Sequence, residues 1–76
     1  MFDPSLETAR RELGVSMMEL WTRYFALGGD LQTIDVDAYL AGIRDVSDND
    51  HDLIAHALNE RHLEQGGDHP LPYFHP

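Results

Sequence analysis

The stretch from Val15 to Gly29 leaves this chain little choice of architecture. Ser16 is placed to cap a helix, and Glu19 three residues on completes a capping box. Val15 before the cap and Leu20 at the fourth helical position pair as a hydrophobic staple. At about 100° per residue, Met17, Met18, Leu20, Trp21, Tyr24, Phe25 and Leu27 cover about half of the helix circumference. Glu19, Thr22, Arg23 and Ala26 take the rest, and Gly28-Gly29 stops the helix. A helix this apolar is either the centre of a helical core or turns its wide face to another chain.

The flanking sequence supplies further helices of ordinary length. Pro4 opens one over about Ser5–Leu13, with Asp3 as its cap, Phe2, Leu6, Ala9 and Leu13 as its stripe, and Gly14 as its stop. A short one is expected over Val36–Ile43. There Asp35 caps, Ile34 and Tyr39 staple, and Val36, Tyr39, Leu40 and Ile43 form the buried stripe. The last begins at Ser47 or Asp48 and runs to about Gln65, with Asp48, Asp50 and Asp52 at its dipole-favoured start. Leu53, Ile54, Ala57 and Leu58 face one way along it, while Leu63 falls beside Asp52, His56 and Glu60. The expected fold class is therefore all-α, a compact array of four short helices. Residues 1–66 form the helical domain, and residues 67–76, rich in proline, form an extended C-terminal arm.

At 76 residues there is room for one domain of thin margin, and with no cysteine neither a disulfide nor a thiolate metal site can staple it. Helix packing, a non-thiolate metal, self-association or a partner must supply the stability. No run approaches the roughly 20 apolar residues of a membrane span, and Met1-Phe2-Asp3-Pro4, with no basic n-region before an apolar run, is not expected to begin a signal peptide. A cytoplasmic protein is expected. The net charge is −9, every base is arginine, and the segment Asp30–Asp52 holds seven aspartates against Arg44 alone. Such a field repels phosphate and anionic lipid, so neither nucleic acid nor membrane is an expected partner.

Chemistry-bearing residues are sparse. Ser5, Ser16 and Ser47 all lie at helix starts, where capping accounts for them, so no enzyme is expected. Asp52, His56 and Glu60 step along one helix face at a spacing that can seat a metal. The pattern matches no established zinc motif, and a solvated surface face accounts for it better. Asp48-Asn49-Asp50-His51-Asp52 begins like a calcium loop. It fails where Leu53 replaces the turn glycine and Asn59 the bidentate glutamate. No cofactor and no metal are expected.

The stretch Thr8–Leu20 resembles a helix-turn-helix, through the turn Leu13-Gly14-Val15-Ser16 and with Leu20 as a buried residue of the second helix. That resemblance covers under a quarter of the chain and implies a dimeric DNA-binding regulator. The sequence departs from the family where a small residue lets the helices pack, because Arg10 stands there. The would-be recognition helix offers only Thr22 and Arg23 for contact, beside a repelling Glu19. The segment reads as a compact helical hairpin, with DNA binding as the alternative.

The expected function is a small non-enzymatic protein-interaction module, a regulator or adaptor. It self-associates or binds a basic protein partner such as a transcription factor. A metal-responsive regulator using His56 and its neighbours is the third reading. The partner-binding residues are Met17, Met18, Trp21, Tyr24 and Phe25, because Met and aromatic side chains anchor interfaces. Leu63, Leu71, Tyr73 and Phe74 join them, since the arm either folds back over Leu63 or docks into a groove elsewhere.

Overall fold

The computed structural model describes residues 4–66, with side chains from Leu6 onward. The C-terminal arm, with Leu71, Tyr73 and Phe74, lies outside the described residues, as do Phe2 and the cap at Asp3. Four helices follow in order: α1 (Pro4–Leu13), α2 (Met17–Ala26), α3 (Thr33–Leu40) and α4 (Asp48–Glu64). The described residues contain no strand, so the fold is all-α.

Serine hydroxyls open two of these helices. Ser16 Oγ accepts from Glu19 N at 3.1 Å, and Ser47 Oγ accepts from Asp50 N at 3.1 Å. The stops of α1, α2 and α3 share one geometry. After α1, Gly14 takes a φ of 70°, its amide donates to Arg11 O, and the Val15 amide donates to Arg10 O. This is a Schellman closure, which needs a left-handed residue and so favours glycine. The same pair of bonds recurs at Gly28-Gly29 and at Gly42-Ile43.

Helix α3 departs from the sequence expectation. It starts at Thr33, with Gln32 as cap, and Asp35 lies in the first turn, where its carboxylate accepts from Gln32 N at 3.2 Å. Ile34 consequently sits within the helix and points outward, 71% exposed, so the expected Ile34–Tyr39 staple does not form. Ile43 also leaves the buried stripe. The left-handed Gly42 ends the helix first and turns Ile43 out to 79% exposure.

The core is built on α4. Ile54, Ala55, Ala57 and Leu58 share one buried cluster with Leu6 and Ala9 of α1, Leu20 and Tyr24 of α2, and Val36, Tyr39 and Leu40 of α3. Helix α4 packs on both α1 and α2, and α3 packs on the same two helices. The expected α1–α2 hairpin is replaced by two helices that share α4 and α3 as neighbours and scarcely touch each other.

Candidate functional site: the outer edge of helix α2

The wide apolar face of α2 is divided between two uses. Leu20 and Tyr24 are wholly buried, while Met17, Trp21 and Leu27 pack half-buried along the border of the core. Met18 and Phe25 stand beyond that border, 61% and 57% exposed. Thr22 and Ala26, also exposed, complete an outer strip that carries no charge.

Tyr24 belongs to the core, and its hydroxyl organises the structure around it. The hydroxyl donates to Asp50 Oδ1 at 2.7 Å and accepts from the amides of Asp30 (3.1 Å) and Leu31 (3.0 Å). One phenol thus joins α2, the loop before α3 and the first turn of α4. Burial, with Asp50 beside it, pushes its pKa above the ordinary value of 10.0. Gly29 covers the ring so closely that a Cβ there would lie 2.1 Å from Tyr24 Cζ.

Trp21 fixes the border. Its Nε1 donates to Leu31 O at 2.9 Å, and its ring stacks on Phe25 with centroids 5.1 Å apart and planes 23° from parallel. Phe25 is therefore an exposed ring held on a fixed one, an arrangement suited to an interface anchor. The opposite border of α2 is charged but internally matched. Arg23 pairs with Glu64 at 2.8 Å, Glu19 at 3.2 Å and Glu60 at 3.7 Å. Arg23 is pushed up and Glu64 down, in each case chiefly by their mutual hydrogen bond. Arg61 Nε is buried without a hydrogen-bond partner, 3.7 Å from Glu19 Oε2.

Every one of the five arginines is committed to a carboxylate. Arg10 and Arg11 share Glu7 at 2.7 and 2.9 Å, Arg44 pairs with Asp35, and Arg23 and Arg61 join the α2–α4 cluster. Hydrogen bonding from Arg10 holds Glu7 below the usual carboxylate range. Arg10 also donates to Val15 O at 2.9 Å, so the base at the small-residue position of the helix-turn-helix pattern props the α1–α2 turn.

The remaining candidates do not join the α2 strip. Leu63 lies on α4, 44% exposed, among the residues after Glu60. Asp52 and His56 are exposed and Glu60 is half-buried near Arg23. Among the described residues, no three His, Asp or Glu side chains converge to hold a metal ion. Also among them, no helix is long and apolar enough to cross a membrane. Sequence reasoning missed the exposure of Ile34 and Ile43. The available signal was Gly42, whose place after Leu40 suits a helix stop and takes Ile43 off the inner stripe.

No family model, curated protein or solved structure matches this chain.

Proposed function

We propose that this chain is a small non-enzymatic interaction module, a regulator or adaptor of the cytoplasm, that pairs with a second copy of itself along the outer edge of α2. The observation that carries the reading is the uncharged strip of Met18, Thr22, Phe25 and Ala26, with Phe25 stacked on a fixed Trp21. In a chain of net charge −9, two copies repel almost everywhere they approach. An apolar strip bordered by an internally paired Glu19–Arg23 lets them meet without opposing like charges. Stable interfaces bury roughly 1,200–2,000 Å², more than these side chains supply alone, so the association belongs to the weak, micromolar class.

The test is sedimentation over a concentration series. The wild-type chain is expected to shift reversibly from monomer to dimer. Met18→Lys, which puts a charge on the strip and leaves the Trp21–Phe25 stack in place, is expected to stay monomeric with an unchanged melting temperature. A wild-type monomer across the whole series, or a dimer indifferent to Met18→Lys, overturns the proposal.

A further inference from the structure

Helix α3 is apolar on two sides, and only one side is used by the fold. Val36, Tyr39 and Leu40 face the core and are buried. Ile34, Ala38 and Ala41 fall on the opposite side at helical spacing. Beyond the Gly42 stop, Ile43 emerges next to them, its amide bonded to Ala38 O at 2.9 Å. Ile34 and Ile43 are the two most exposed large apolar residues described, at 71% and 79%. An ion pair holds the segment in this form. Arg44, next to Ile43, reaches back to Asp35, next to Ile34, so the turn after the helix is tied to its first turn.

The charge beside this outer side is mainly negative. Arg44 is the only base between Asp30 and Asp52, and it is taken by Asp35. Asp50 is engaged with Tyr24 and Ser47. Asp37 on α3, which also feels Arg10 of α1, and Asp45, two residues after Ile43, are exposed. A second copy meeting this side would oppose Asp37 and Asp45 with its own carboxylates, in contrast to the neutral edge of α2. A segment that buries the isoleucines must bring positive charge with it.

From this we infer that the outer side of α3, with Ile34 and Ile43 as anchors, docks a basic amphipathic segment of a partner protein. Apolar side chains of that segment cover the two isoleucines, and its Lys or Arg residues lie against Asp37 and Asp45. The surface is separate from the α2 strip, so the module can hold a copy of itself and a basic partner at once.

The experiment uses the full chain and a synthetic amphipathic helix of Leu and Lys, with a Leu and Glu helix of the same pattern as control. Affinity is read by fluorescence anisotropy of the labelled peptide. The Lys peptide is expected to bind with an affinity that falls as salt rises, and the Glu peptide not to bind. Paired replacement Ile34→Ser with Ile43→Ser is expected to weaken Lys-peptide binding by about tenfold or more. Circular dichroism checks that this variant keeps its melting curve, as is expected for residues that pack on nothing in the core. Met18→Lys with Phe25→Ser is expected to leave peptide affinity within about twofold, which separates this surface from the α2 strip. The inference is overturned by unchanged binding to the Ile34/Ile43 variant, by loss of binding in the α2 variant alone, or by no binding of the Lys peptide. It is equally overturned if the Ile34/Ile43 replacement abolishes dimerisation, since the occupant is then a second copy.

Discussion

Tyr24 carries more of the structure through its hydroxyl than its apolar neighbours suggest. Tyr24→Phe keeps the ring and deprives Asp50 and two loop amides of their partner. The expected loss is about 1–3 kcal/mol, read from the urea midpoint, because the cost of an unmade buried bond exceeds the net gain of a made one. The phenol also sets an alkaline limit. Its pKa in the folded chain lies above 10.0, so its contribution is complete below pH 10.0. As pH rises further the unfolded chain ionises first and stability falls, a decline that Tyr24→Phe should reduce. Glu7 works in the opposite direction. Its carboxyl is held below 4.5 by Arg10, so its contribution is present above pH 4.5 and fades as the pH falls further. Acid titrations of Glu7→Gln and wild type, followed by circular dichroism, should show a shallower acid loss in the variant.

At the scale of the helix, the two serine caps look alike and do different work. Ser16 accepts one amide bond at the start of α2, and Ser16→Ala is expected to cost about 1 kcal/mol. Ser47 accepts the equivalent bond in α4 and also donates to Asp50 Oδ2 at 2.8 Å, on the carboxylate that holds Tyr24. Ser47→Ala should therefore cost more, about 2 kcal/mol, since it removes the cap and loosens the phenol's partner. A double-mutant cycle checks the link. Ser47→Ala with Tyr24→Phe should couple by about 0.5 kcal/mol or more, while Ser16→Ala with Tyr24→Phe should add independently.

For the whole molecule, what matters is where the charge lies. With each arginine held by a carboxylate, no arginine is left over to neutralise a phosphate backbone. Duplex DNA should give no shift in a gel at physiological salt. Discrete binding to a selected operator would restore the reading suggested by the α1–α2 turn. Self-association should respond to salt in the opposite sense to basic-peptide binding. Screening relieves the repulsion between two copies of net charge −9, so the sedimentation dimer should tighten as salt rises. It should do so while the α3 surface loses its hold on a Lys peptide.

Much of the fold could be read from local signals. Ser16 and Ser47 mark helix starts, and Gly14, Gly28 and Gly66 mark stops, because caps and left-handed turns are short-range chemistry that neighbouring residues settle. The start of α3 was not legible in this way. Asp35 and Gln32 can each begin a helix there, and the choice rests on which side of the segment α1 and α2 cover. The same limit governs the candidate surfaces. The sequence specifies that α2 is apolar over half its girth, yet only the placement of α4, α3 and the loop at Leu31 decides the rest. That placement buries Tyr24, pins Trp21 and leaves Met18 and Phe25 outside. The outward turn of Ile34 and Ile43 is likewise a result of packing. Hydrophobicity is a property of the residue, but exposure is fixed by the neighbours that reach it.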